Sequence, residues 1–327
     1  MKHFSFLILC SAILFCACGA KNTTNTIIEP LKVNLPAFDA DSAYNNVKRQ
    51  VDFGARVPNT AAHRACAEFL SAKLQSYGAE VIEQRAEVSA FDGTKLKIVN
   101  IIAQFAPENK NRILLYSHWD SRPWADQDSD INNHSKPVDG ANDGASGVGI
   151  LLEIARLVSM QNPTIGVDII FFDAEDFGAP ESYTGKEKNS WCLGSQYWAV
   201  HPHKAGYKAR FGILLDMVGA PGATFYKEQV SQYYASNVVK KVWDAALETG
   251  FSQYFRQEQG GTITDDHLYI NRIINIPSID IIHYNPNYGF GEYWHTAHDN
   301  MDNIDRNTLF AVGSVLLYVI YNEKTVK

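Results

Sequence analysis

The sequence predicts an α/β chain, a three-layer α/β/α sandwich around a mixed, mostly parallel, twisted central sheet. Three observations carry this. Strand-like and helix-like segments alternate along the chain. The runs RILLYS (112–117), VDIIFF (167–172) and ILL (213–215) are nearly continuous in large apolar residues, as strands covered on both faces are. Each run is followed by a polar group, His118, Asp173 and Asp216 respectively, and open α/β sheets build their sites beyond strand ends.

Taken in order, segments 39–50 and 60–77 have helical periodicity, and Gly78 closes the second. Strand-like runs follow at 79–88, 96–105 and 112–120. The stretch ASGVGILLEIARLVSM predicts a helix over 145–160, and GVDIIFFDAE a strand over 166–175. A polar loop leads to a helix at 193–202 and a strand at 211–219. A helix at 229–248, a short helix at 265–272, a strand at 276–282 and a helix near 305–322 complete the series. There is no internal repeat, and no linker after about residue 36.

The 327 residues, 46% of them hydrophobic, suit one large domain. A net charge of −7 without a basic cluster argues against nucleic acid or a polybasic membrane contact. The N-terminus differs from the rest. Met1-Lys2, the apolar run FSFLILCSAILF and Cys16-Ala17-Cys18-Gly19 resemble a bacterial lipoprotein signal over 1–18. Cys18 is the expected lipidated residue, because small Ala17 precedes it whereas Phe15 precedes Cys16. The run is too short to span a bilayer. Residues 19–36 read as a tether, so the domain is expected to be exported, lipid-anchored to a bacterial membrane and periplasmic. Cys66 and Cys192 then remain. Cys66 lies in a helical pattern and is expected to be packed; a Cys66–Cys192 disulfide is the alternative in an oxidising compartment.

FFDAEDFG places Asp173, Glu175 and Asp176 within four positions directly after a buried strand. Clustered buried carboxylates are costly, so a cation is expected beside them. His118-x-Asp120 has the form of an imidazole oriented by a carboxylate. Asp143, in GANDGASGVG, is either a ligand or a cap of the helix that follows. The glycines around it lack the GK[ST] of a phosphate loop. His295 stands in YWHTAHDN. Together His118, Asp143, Glu175, Asp176, Asp216 and His295 form a nitrogen and oxygen set without thiolates, which suits a catalytic zinc with an open position. Asp176 is expected to ligate, Glu175 to stay free as a proton carrier, and Asp173 to anchor the turn.

Asp126-x-Asp128-x-Asp130 is spaced like a calcium loop, but Ile131 stands where glycine is required and Pro137 where Glu is required. The loop 121–141 is read instead as a solvated rim. His134, His201, His203 and His283 have no partners in sequence and read as surface or packing residues.

HWDS, GANDGASGVGILLE, FFDAEDFG, LLDMVG and WH, in that order, resemble the zinc aminopeptidase clan that contains glutaminyl cyclases. The resemblance covers nearly everything from about residue 40 onward, and the clan's three-layer fold agrees with the reading above. In its aminopeptidase branch two zincs would be held by His118, Asp143, Asp176, Asp216 and His295, with Glu175 as base. In the cyclase branch one zinc would be held by Asp143, Asp176 and His295. LLDMVGAPGATF, GGTITDDHLYI and EYWHTAHDN resemble the cyclase branch.

That resemblance implies a proton network of Glu175, Asp216 and Asp265. It also implies a pocket for a Gln side chain lined by Trp294, Trp191, Phe290 and Ile263. His118 and Asp120 would be supports or a second metal site. Asp265 could instead cap the short helix, and Trp294 or Trp191 could be core. Asp280 and Asp176 depart from the animal cyclases, which carry His and Glu there. The implied reaction converts the N-terminal Gln of peptides or secreted proteins to pyroglutamate with release of ammonia. A non-catalytic ectodomain on the same fold is the third reading, and the intact ligand set argues against it. Residues 37–327 are thus expected to form a single zinc-dependent catalytic domain.

Overall fold

A computed structural model describes Met1 and residues 34–324, apart from 181 and 186–188. The expected signal, Cys18 and the tether up to residue 33 lie outside the described residues. The elements are α1 (Ala40–Val51), α2 (Ala61–Ser76), β1 (Glu80–Ser89), β2 (Lys95–Phe105), β3 (Arg112–His118), α3 (Ala145–Met160), β4 (Gly166–Phe172), α4 (Leu193–Val200) and β5 (Gly212–Asp216). Then come β6 (Phe225–Lys227), α5 (Gln229–Glu248), β7 (Phe255–Gln259), α6 (Asp266–Tyr269), β8 (Ser278–Ile282), β9 (Tyr284–Asn285), β10 (Gly289–Phe290) and α7 (Arg306–Asn322). The short helix expected at 265–272 is α6 running into a π-helical turn, Ile270–Ile274.

The main sheet has the order β1-β2-β4-β3-β5-β8. The pairs β1–β2 and β2–β4 are antiparallel, while β4–β3, β3–β5 and β5–β8 are parallel. The expected mixed, mostly parallel sheet is therefore present. Its strands alternate between two cores. Ile113, Leu115, Ile169, Phe171, Ile213 and Ile279 face one side, with α1, α2, α3, α5 and α7 residues such as Val47, Leu70, Val148, Val242 and Leu316. Leu114, Tyr116, Ile170, Phe172 and Leu214 face the other, beneath Trp198 of α4 and Ile270. Burial on both faces is why these strands read as continuous apolar runs.

Side chains close most helix starts. Asp39, Thr60 and Asp305 accept from backbone N–H groups one turn into α1, α2 and α7. Helices α3 and α4 are the exceptions: Gly144 and Cys192 precede them without a side-chain cap, so Asp143 is not spent on α3. The expectation missed β6, β7, β9 and β10, which have two to five residues each, too few for a periodic signal. Among the described residues no helix is long and apolar enough to cross a membrane.

Candidate active site

The parallel strands β3, β4, β5 and β8 end on the same edge of the sheet, at His118, Phe172, Asp216 and Ile282. The loops leaving that edge carry the carboxylates. Asp143, Glu175, Asp216 and Asp265 share one cavity of about 310 Å³ with His295 and the apolar walls Trp191, Ile263, Phe290 and Trp294. A larger surface cleft of about 600 Å³, between α2 and the β1–β2 hairpin, holds none of these groups.

Two groups of potential metal donors share Asp143. Donor atoms of Asp143, Asp176 and His295 lie within 4.8 Å of one another, and so do those of His118, Asp143 and Asp216. In the first, His295 Nε2 is 3.2 Å from Asp176 Oδ1 and 3.7 Å from Asp143 Oδ2. In the second, His118 Nε2 is 3.0 Å from Asp143 Oδ1 and 3.2 Å from Asp216 Oδ1. Asp176 Oδ1 is buried and accepts no hydrogen bond. A buried carboxylate oxygen that makes no hydrogen bond, in a triad of two carboxylates and an imidazole, fits a zinc ion.

The ring of His118 lies close over Gly144. A side chain there would start 2.7 Å from His118 Cε1 and 2.4 Å from the His118 carbonyl oxygen, so this position admits only glycine. The His118 side chain reaches three carboxylates, with Asp120 Oδ1 3.4 Å from Nδ1. Burial alone would lower its pKa, but Asp120, Asp143 and Asp216 hold it well above the ordinary value. Burial likewise would raise Asp143, yet the hydrogen bond and charge of His118 hold it below the usual carboxylate range.

Asp120 has a second task the sequence did not suggest. Its oxygens accept from the backbone N–H of Glu175 at 3.1 Å and of Asp176 at 3.2 Å, which fixes the acidic turn. Asp173 anchors the same turn as expected, accepting from Val99 N, Ala174 N and His63 Nε2. This leaves Glu175 free to face the cavity. Burial first, then the Asp265 charge, push Glu175 well above its ordinary value. Burial and the charges of Asp216 and Asp266 do the same to Asp265. Asp216 is pushed up to about 6 by burial and Asp143. These buried acids cannot all ionise without a cation, and one proton shared among Glu175, Asp265 and Asp216 is cheap.

Asp265 occupies a position compatible with both readings weighed for it. It caps α6, accepting from Asp266 N at 2.5 Å, and its carboxylate stands within 4.8 Å of Glu175. Trp294 stacks on His295 with ring centroids 3.8 Å apart and on Phe290 at 4.4 Å. Trp191 lies parallel to His295 at 5.8 Å and under the Arg122 guanidinium at 4.6 Å. Both tryptophans are half-buried walls rather than core.

One feature corrects the sequence reading. Loop 121–141 is largely exposed over 129–137, as expected of a solvated rim, but its first part, 121–128, is a brace for the His295 segment. Asp128 accepts from Ala297 N at 2.9 Å, Gln127 N donates to the His295 carbonyl at 3.1 Å, and Asp126 Oδ1 lies 3.6 Å from His295 Nδ1. Asp126 is itself gripped by Arg122 at 2.7 and 2.8 Å, and the Asp126, Asp128 and Asp130 side chains serve three different partners rather than one ion. Cys66 and Cys192 are both free and buried, with no disulfide between them. Cys192 stands against Glu175, its Sγ 3.0 Å from Oε1. The sequence marked Cys192 and Asp126 only for a disulfide and a calcium loop, and Arg122 not at all, because the loops that bring them to the site carry no periodic pattern. His134, His201, His203 and His283 contact only backbone or aromatic neighbours, as expected.

A family model, peptidase family M28, matches residues 100–320. Among solved structures, the chain is 60% identical to a glutaminyl cyclase of Bacteroides thetaiotaomicron bound to N-acetylhistamine, with a TM-score of 0.88, over 89% of this chain and 100% of that one. It is 59% identical to a leucine aminopeptidase precursor of the same species, with a TM-score of 0.87 and the same coverage. The bovine glutaminyl-peptide cyclotransferase is 27% identical over 290 residues, 80% of this chain and 76% of the bovine one.

Proposed function

The chain belongs to peptidase family M28, and within that family we infer that it is a zinc-dependent glutaminyl-peptide cyclotransferase. It converts an N-terminal Gln of peptides and proteins to pyroglutamate and releases ammonia. The observation that carries this reading is the placement of Asp265 against Glu175 at the edge of an aromatic cavity. Cyclisation needs no water as nucleophile. It needs one carboxylate that accepts a proton from the substrate amine and returns it to the departing nitrogen, and a neighbouring acid keeps such a proton close.

Asp143, Asp176 and His295 would hold the zinc ion, whose chemistry when bound is Lewis-acid polarisation of the Gln side-chain carbonyl. Trp294, Phe290, Trp191 and Ile263 form the walls that receive that side chain and exclude water. The substrate α-amine attacks its own side-chain carbon. A C–N bond forms there and the bond to the amide nitrogen breaks. Glu175 takes the amine proton at Oε2, since Oε1 already accepts from Cys192, and gives it to the leaving ammonia. Asp265 and Asp216 hold the shared proton of the network between turnovers.

The dinuclear aminopeptidase reading rests on the second donor group, His118 with Asp143 and Asp216. What supports one ion is that His118 Nε2 already hydrogen-bonds to Asp216 Oδ1 at 3.2 Å, whereas Asp176 Oδ1 makes no hydrogen bond, with only the His295 and Arg122 nitrogens near it at 3.2 and 3.5 Å. The lipoprotein-like stretch ending at Cys18 supports an exported protein anchored to a bacterial membrane, with its domain in the periplasm; its substrates would then be secreted chains. Incubation with a Gln-initiated peptide, followed by mass, tests the activity. Loss of one ammonia with the chain otherwise intact is expected, and release of a free N-terminal amino acid would overturn it.

A further inference from the structure

The mechanism leaves unexplained what aims Glu175. Asp120 pins the backbone N–H of Glu175 and that of Asp176, but the Glu175 side chain extends beyond that turn. Among the described residues, the Cys192 thiol is the one side chain that donates to its carboxylate, Sγ to Oε1 at 3.0 Å. The placement of this thiol is enforced. Cys192 N donates to the Glu175 carbonyl at 2.9 Å and Leu193 N to the Ala174 carbonyl at 3.0 Å, so the two loops are laced together. Cys192 itself has φ 59 and ψ 35, the left-handed region that a residue with a side chain occupies only when its surroundings impose it. That turn lets adjacent residues serve different ends, Trp191 on the cavity wall and Cys192 on the base. Leu268 and Tyr269 pack over the thiol and complete its burial.

We propose that Cys192 is a positioning residue for the proton carrier: its S–H holds Glu175 Oε1 and thereby presents Oε2 to the substrate amine. This rests on the cyclotransferase reading. The thiol is suited to the task because it is a donor of modest strength. A lysine or arginine in its place would fix Glu175 as a permanent carboxylate, which could take the amine proton only with difficulty. Burial and the nearby Glu175 and Asp266 charges push the Cys192 thiol well above its ordinary value, so it stays a donor. Being wholly buried, it is also shielded from solvent oxidants, unlike a redox cysteine.

The test uses Cys192→Ser, which keeps a donor, with Cys192→Ala and Cys192→Val, which do not. Cyclisation kinetics, zinc content and melting temperature are measured for each beside the wild type. The expected result is a fall in kcat of roughly fivefold to tenfold in Ala and Val, the loss of one modest hydrogen bond, with KM and zinc content unchanged and with Ser close to wild type. Ala or Val at the wild-type kcat would overturn the proposal, and so would Ser as slow as Ala, since volume and not donation would then be at work. Valine fills the site if the alanine variant fails to fold. A wild type that does not cyclise Gln would instead overturn the cyclotransferase reading, so the two failures are separable.

Discussion

At the scale of single residues, the site separates two carboxylates that adjoin in sequence. Glu175 and Asp176 point to different partners because Asp120 fixes both of their backbone N–H groups. Asp176 goes to His295, and Glu175 goes to Asp265 and Cys192. Glu175→Gln should therefore lower turnover by roughly 10² to 10⁴, the range of a lost general base. Zinc content by atomic emission should stay at the wild-type level. Asp143→Ala removes the carboxylate common to both donor groups, and purified protein should then lack zinc. Zinc retained in that variant would remove Asp143 from the ligand set. Asp176 and His295 were visible from the sequence as an acid after a strand and a histidine in an aromatic stretch. Cys192 was not, because a lone cysteine in a loop carries no information until its neighbour in space is known.

At the scale of elements, short loops do the aiming. Gly178, just past the acidic turn, lies under the Trp191 ring, and a side chain there would begin 2.0 Å from Trp191 Cδ2. Gly178→Ala should displace the tryptophan from the cavity wall and lower kcat/KM for Gln peptides by roughly tenfold through misplacement. Circular dichroism should show little change. The start of α5 makes a second case. Glu228 accepts from Val230 N and Ser231 N, from Ile263 N beside the cavity and from His267 Nε2. Burial would raise its carboxyl, but the His267 contact and those backbone donors hold it down from 4.5 to about 2. A carboxyl that ionises more readily in the folded chain stabilises it above its unfolded pKa, and this is lost as pH falls from 4.5 toward 2. Its size is on the order of 3 kcal/mol. Glu228→Gln should thus be less stable than wild type at neutral pH, and the gap should narrow on acidification; denaturant melts at two pH values would show it. Equal gaps at both would mean that the carboxylate charge contributes nothing.

At the scale of the whole molecule, a zinc ion held by Asp143, Asp176 and His295 as proposed would tie the sheet edge to the C-terminal loops, because these residues come from three separate segments. Removing zinc with a chelator should lower the melting temperature and abolish turnover, and zinc should restore both. With free zinc about 100-fold above Kd, the stabilisation is on the order of 3 kcal/mol. One equivalent should restore full activity; a requirement for two would favour the dinuclear arrangement.

The sequence by itself determined the layers, the strand ends and the acids on them. A strand covered on both faces must be apolar throughout, and a carboxylate that follows it must reach the sheet's edge. It also carried the ordered motifs that resemble the family. The tertiary structure decided which acid meets which partner. Asp143 faces His118 and His295 instead of capping α3; Asp126 braces a histidine more than 160 residues further along the chain; and Cys192 meets Glu175. Those choices depend on how loops without periodicity cross in space, and a local pattern holds no record of that.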